Sequence, residues 1–392
     1  MKKIILIMVL AVITIPLSAQ NSIEGILSSI EQNNTTLKAM GDQAQADKLE
    51  NRTGIFLANP EVEFNRLWGN PGTIGNRNDI NVSQSFDIPT ITGMKSRQAN
   101  LRNSLIDLQY KSDRINILLE AKQYCLELIY YNRMKQELAL RMEHAQTIAE
   151  GYENRLQSGD ANLLEYNKVQ LNLSTVQGEL SRIEVERAAL LAELKRLNGG
   201  VDVTLDAAQF PGIYLPTDFE GWFTEAAERN PVLEYVRREI EANRHQVSLA
   251  KATGLPTFSA GFMREKTLGQ NYQGVSLGVS IPLWENKNRV KQARAAVVAS
   301  ETRERDTQVQ YYEQLRNLYG RAAGLGASAA EYRRAMSNLN STDLLKKALD
   351  AGEISLLEYI VEIGLYYDTV NKTVEAERDY QLALAQLSAV EL

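Results

Sequence analysis

The chain has 392 residues, 44% hydrophobic and 23% charged, with a mean hydropathy of −0.30. These values exclude a bundle of apolar transmembrane helices, and equally a disordered chain that lacks the apolar residues for a core. Lys and Arg number 43 against 49 Asp and Glu, a net charge of −6, so no basic field invites nucleic acid; a single Cys excludes an internal disulfide framework, and two His speak against a His-built metal site.

Lys2 and Lys3 precede an apolar run from Ile4 to Ile15, and Pro16-Leu17-Ser18-Ala19 follows. A basic start, a short apolar core and a small-residue exit predict a secretory signal peptide over 1–19. The run is too short to span a membrane. The mature chain is expected to begin at Gln20, with a charge of −8 once Lys2 and Lys3 are lost. No Cys follows the signal, so no N-terminal lipid anchor is expected, and Cys125 reads as a small core residue.

The rest of the chain reads as two copies of one plan. Gly159-Asp160-Ala161-Asn162-Leu163-Leu164-Glu165-Tyr166 recurs as Gly352-Glu353-Ile354-Ser355-Leu356-Leu357-Glu358-Tyr359, 193 residues on. Val82-Ser83 and Ile88-Pro89 recur at the same offset as Val275-Ser276 and Ile281-Pro282, while Asn59-Pro60 pairs with Leu255-Pro256 at 196 and Asn33 with Asn230 at 197. Matched landmarks in one order predict an internal duplication. The first repeat, 20–205, is read as a helix, strands near 60–68 and 79–88, a long helix 90–158 and a helix 161–198. The second, 206–392, is read as helices, strands near 256–265 and 272–281, a long helix 283–351 and a helix 353–391. Residues 199–230, with Pro211, Pro216 and Trp222, read as a belt outside the helices.

A Pro-free 70-residue stretch separates Pro89 from Gly159, and Pro282 from Gly352. As helix, each would reach about 100 Å, a coiled-coil length. Leu173, Val176, Leu180, Ile183, Leu190, Leu194 and Leu197 step by threes and fours, broken only at Arg187, as a heptad seam does. Gly320, Gly324 and Gly326 in the second long helix mark either a close backbone approach or a bend.

The predicted strands alternate. Ile80, Val82, Phe86 and Ile88 share one parity, and Asp79, Asn81, Ser83 and Ser85 the other; Val275, Leu277, Val279 and Ile281 alternate with Gly274, Ser276, Gly278 and Ser280. Such segments fit either a hairpin on a soluble core or strands of a membrane barrel. Trp68, Tyr272 and Trp284 fall near strand ends, where interfacial aromatics belong. Four strands cannot close a barrel, and open edges cannot face lipid, so either the hairpins stay in water or several chains pool them. Three chains would give twelve strands and two would give eight.

In the order and spacing of these features the sequence resembles the TolC-type outer-membrane efflux proteins over essentially its full mature length. The carrying residues are the two copies, Asn230-Pro231, the strand-ending Val279-Ser280-Ile281-Pro282-Leu283-Trp284, and the Gly-x-x-x-x-Leu-Glu elements at Gly159 and Gly352. The resemblance implies a mainly α protomer with a small β part. It implies closure as a homotrimer, a 12-stranded β-barrel over a periplasmic α-helical barrel, in the outer membrane of a Gram-negative bacterium. It further implies a tripartite efflux or type I secretion channel with a periplasmic adaptor (membrane fusion protein), an inner-membrane pump, outer-membrane lipid and no cofactor.

On the same resemblance, Leu156, Gly159, Asp160, Leu349, Gly352 and Glu353 form the adaptor-contact tip, and Glu165 and Glu358 are acidic gate residues. A second acidic position falls on Val361, with Glu362 beside it, and the position of a gate Arg falls on Ile354. A solvated helix face accounts for such Glu equally well. On this resemblance, the C-terminal extension that some members carry is not expected here, the sequence ending at Leu392.

Two other functions fit the sequence less well. No GxSxG, Walker or HExxH pattern supports an enzyme, and His144 and His245 do not align between copies. A periplasmic coiled-coil scaffold or adaptor would share the long helices but lack paired strands of lipid-compatible parity. The exported substrate is not legible.

Overall fold

The computed structural model describes residues 21–70, 72–212, 214–267, 269–284, 286–337 and 341–392. The signal peptide expected over 1–19 and the loop Pro71 lie outside the described residues. The elements run α1 Ile23–Asn33, α2 Thr35–Glu50, β1 Glu61–Leu67, β2 Arg77–Phe86, α3 Pro89–Ser158 and α4 Leu163–Leu197, then α5 Phe219–Arg229 and α6 Pro231–Ala252. After these come β3 Thr257–Thr267, β4 Gln270–Ser280, α7 Arg289–Ser337, α8 Ser341–Asp350 and α9 Leu356–Leu387. The fold is mainly α with one small antiparallel sheet, in the order β1-β2-β3-β4.

The chain divides into two compact units. One holds the residues up to Lys38, Arg114–Trp222 and Gln314–Leu392. Its core is the predicted seam. Ile26, Leu27 and Ile30 of α1 pack on Leu118, Cys125, Leu126 and Ile129 of α3 and on Leu194 and Leu197 of α4. Further along, Met134 and Leu138 of α3 meet Val176 and Ile183 of α4 and Val370 and Val374 of α9. Ala149, Tyr152 and Val169 meet Leu349, Leu356, Tyr359 and Ile363.

The break in the seam at Arg187 is a polar tie. Its Nε donates to Oδ1 of buried Asn132 at 2.7 Å, and Asn132 Nδ2 donates to the carbonyls of Leu205 and Ala207. This fastens the belt to α3, since a buried amide must be partnered. The belt is also less irregular than its Pro content predicts, because α5 occupies its end. Buried Glu377 of α9 takes Arg133 of α3 at 2.6 Å and Arg333 of α7 at 2.7 Å. Of the three mid-helix glycines, only Gly326 lies in a close approach: a Cβ there would stand 2.9 Å from the Tyr380 ring.

The other unit holds Ala39–Asp113 and Phe223–Glu313, with the sheet. Phe223 packs against Tyr311 and Tyr312. Arg244 pairs with Glu301 and Arg303 with Glu239, at 2.7 and 2.6 Å.

Several predicted boundaries move. The second long helix does not start at 283. Asn288 adopts a left-handed φ of 69°, which a helix cannot continue through, so α7 starts at Arg289. Nor is it one described helix to 351: α7 ends at Ser337 and α8 begins at Ser341, with 338–340 outside the described residues. The helix expected over 353–391 is α9 Leu356–Leu387, set by its Ser355 cap, followed by a 3-10 turn Ala389–Glu391. The helix expected over 161–198 starts at Leu163 because Asn162 caps it. Asn230, which caps α6, corresponds not to Asn33 but to Asn34. Asn34 Oδ1 accepts from the Leu37 N–H at 2.7 Å, as Asn230 Oδ1 accepts from Leu233 at 3.0 Å. α1 and α5, and α2 and α6, then start 196 residues apart, the offset of the Asn59 and Leu255 landmark.

Candidate functional site

The sheet register sorts the alternating residues by face. Val62 stands opposite Val82, Val82 opposite Phe262, and Phe262 opposite Val275. Phe86, Phe258 and Val279 form a second lateral row. Successive strand residues point to opposite faces, so these rows and the Leu277–Ala260–Gln84 row between them make one mainly apolar face, which turns polar toward Arg264 and Gln273. That face is bare: Val275 is 81% and Leu277 85% exposed. The opposite face carries Glu63, Asn81, Asp79, Glu265, Ser83 and Ser276. There Arg77 pairs with Asp79 and Glu265.

Trp68 and Trp284 are exposed beyond the ends of β1 and β4. Tyr272 is a correction. It stands opposite Glu265 on the polar face, and its hydroxyl donates to Gln270 at 2.6 Å. Its parity sets it away from the apolar face.

At the far end of α3 the chain turns back by a Schellman motif, with Gly159 at φ 84°. The Asp160 N–H donates to the Arg155 carbonyl at 2.8 Å and Gly159 to Leu156 at 3.2 Å. The end of α8 repeats this geometry 193 residues later. Gly352 has φ 72°, Glu353 donates to Ala348 at 2.9 Å, and Gly352 donates to Leu349 at 3.1 Å. Gly159, Asp160, Gly352 and Glu353 are exposed and Leu156 is half-buried. Leu349 is not a surface residue: at 8% exposure it packs with Leu356, Tyr359 and Ile363.

Glu165 and Glu358 each close a capping box. Asn162 Oδ1 accepts from the Glu165 N–H while Glu165 Oε2 accepts from the Asn162 N–H, both at 3.0 Å. Ser355 Oγ accepts from the Glu358 N–H at 3.2 Å, and Glu358 Oε2 accepts from the Ser355 N–H at 2.8 Å. The hydrogen bonds from Ser355 hold the exposed Glu358 carboxyl below the usual carboxylate range. Sequence reasoning missed these boxes, although Asn-x-x-Glu and Ser-x-x-Glu before an apolar run were their signal. Glu362 is exposed one turn on.

Among the described residues no group of three His, Cys, Asp or Glu is placed to hold a metal ion, and no helix is long and apolar enough to cross a membrane. His144 Nδ1 sits 3.2 Å from the Tyr367 hydroxyl and His245 Nδ1 2.9 Å from Gln98 Oε1.

Residues 222–390 match the family model described as Outer membrane efflux protein. That match lies in the second half of the chain. The fold extends the likeness beyond those residues. The CmeC outer membrane channel of Campylobacter jejuni superposes with a TM-score of 0.74 at 15% identity, over 94% of this chain and 85% of that one. The outer membrane protein VceC of Vibrio cholerae gives 0.71 at 14%, over 94% and 95%. CusC, whose structures concern transmembrane channel formation, gives 0.73 at 15%, over 95% and 92%. No curated protein sequence matches the chain. The resemblance to TolC-type proteins thus holds in sequence over the second half and in fold over nearly the whole chain.

Proposed function

We propose that the chain is the protomer of an outer-membrane channel in a tripartite efflux or type I secretion system. The observation that carries this is the sheet: one bare apolar face, one polar face, and two unpaired edges, β1 and β4. Lipid offers no partner for edge N–H and C=O groups, so the sheet must be closed by other copies. A homotrimer pools twelve strands around a lumen lined by the polar face, and the helices supply the periplasmic passage. Each half of the chain, 20–205 and 206–392, is one copy of a duplicated unit.

The tip residues Leu156, Gly159, Asp160, Gly352 and Glu353 meet a periplasmic adaptor, which joins the channel to an inner-membrane pump. Glu165, Glu358 and Glu362 ring the periplasmic mouth, and Trp68 and Trp284 sit at the membrane interfaces. The channel performs no chemistry of its own.

Planar-bilayer recording of the protein purified from outer membranes tests this. Stable conductance from a detergent-resistant trimer is expected. Recovery in the soluble periplasmic fraction with no conductance would favour the scaffold reading instead.

A further inference from the structure

A groove runs along the first turns of α3, walled on its other side by the turn and loop of residues 51–59. At its sheet end it opens into a mainly apolar cavity of about 580 Å³ lined by Leu57, Phe86, Ile88 and Phe258, with Asp87 and Thr92 at its border. Phe86 and Phe258 belong to the apolar face of the sheet, so this end continues that face. Thr92, Lys95, Ala99 and Arg102 follow on one stripe of α3, and the lining passes through them in that order. From Thr92 to Arg102 the stripe covers about 15 Å.

The groove changes character along this distance. Its far end is a mixed cavity of about 250 Å³, where Asn51, Lys95, Arg102 and Gln246 join Ile55, Ala99 and Leu249. Lys95 is held by Asp87 at 2.7 Å, whereas Arg102 makes no ion pair or hydrogen bond among the described residues. Gln246 Oε1 is buried and has no donor. A buried acceptor without a partner calls for one, and a bare guanidinium is suited to a phosphate.

We propose that this groove binds a glycerophospholipid of the periplasmic leaflet. The first part of an acyl chain lies against Leu57, Phe86 and Phe258, the phosphate meets Arg102, and an N–H or O–H of the headgroup donates to Gln246 Oε1. The polarity gradient has the direction such a lipid has in that leaflet: chains toward the strands, headgroup toward the periplasm. A free inorganic anion explains Arg102 but neither the apolar end nor the missing donor. The inference rests on the placement of the sheet in the outer membrane.

The test uses the full-length trimer in nanodiscs containing phosphatidylethanolamine with a photoreactive group on its acyl chain, with labelled residues mapped by mass spectrometry. Labelling is expected at the Leu277 row and at the groove peptide Phe86–Thr92. Arg102→Glu is expected to lower groove labelling about tenfold, the effect of losing one charge-assisted contact, while the Leu277 row is unchanged and Arg102→Lys retains most of it. Labelling of the Leu277 row with none in the groove, or groove labelling indifferent to Arg102→Glu, overturns the lipid site alone. Failure to label the Leu277 row overturns the membrane placement and the site together. Loss of groove labelling on adding excess inorganic phosphate makes the site an anion site and overturns the lipid.

Discussion

At the tip, Glu165 and Glu358 do two things that single substitutions separate. As N3 residues they complete capping boxes, and in the proposed channel their carboxylates would place charge at the mouth. Gln serves the capping box as well as Glu does. Glu358→Gln is therefore expected to keep the box and lose only the small stabilisation that the ionised carboxylate adds, while weakening block by divalent cations and lowering cation preference; unchanged block and reversal potential would remove Glu358 from the gate. Ser355→Ala is expected to do the converse in part, costing about 1 kcal/mol of stability in denaturant unfolding with the charge retained. Because the folded Glu358 carboxyl titrates below its ordinary value of 4.5, its contribution to stability is full above that value and is lost as pH falls through the lower folded value. Cation preference should accordingly persist at pH values just below 4.5. The motif was legible in the sequence, but its first use, local capping, was not read from it.

At the scale of elements, the seam of α4 was legible because Val176, Ile183, Leu194 and Leu197 keep the heptad step and are buried as that step requires. The starts of helices were less so. They depend on single residues with special backbone angles, such as Asn288, or on which of two adjacent Asn turns inward, as at Asn33 and Asn34. Gly199 shows a constraint that no periodicity carries. It ends α4 at φ 64°, and a Cβ there would stand 2.3 Å from the Asn33 carbonyl oxygen. Gly199→Ala is expected to cost about 3 kcal/mol, from left-handed strain plus overlap with backbone. Gly352→Ala, with a similar φ of 72° but open space around it, should cost only about 1 kcal/mol. Equal losses in equilibrium unfolding would show that the close approach to Asn33 does not matter.

For the whole molecule, strand parity was readable in the sequence, but closure was not, because the single chain places β1 and β4 at the two edges of its sheet. Tyr272 shows the limit of reading aromatics near strand ends: its register with Glu265 puts it on the polar face. If the bare face meets lipid, Leu277→Arg should cost about 2–4 kcal/mol and reduce assembled trimer in the outer membrane, whereas Ser276→Arg should assemble and alter conductance. The most direct measurement is a cysteine scan of Gly274 to Ile281 in intact outer membranes with a membrane-impermeant thiol reagent. The natural Cys125 stays silent, since it is buried and its thiol is pushed up to about 12. Labelling at 274, 276, 278 and 280 with protection at 275, 277, 279 and 281 is the result expected of a barrel with a water-filled lumen. Labelling at both parities, or at the odd positions, would contradict it.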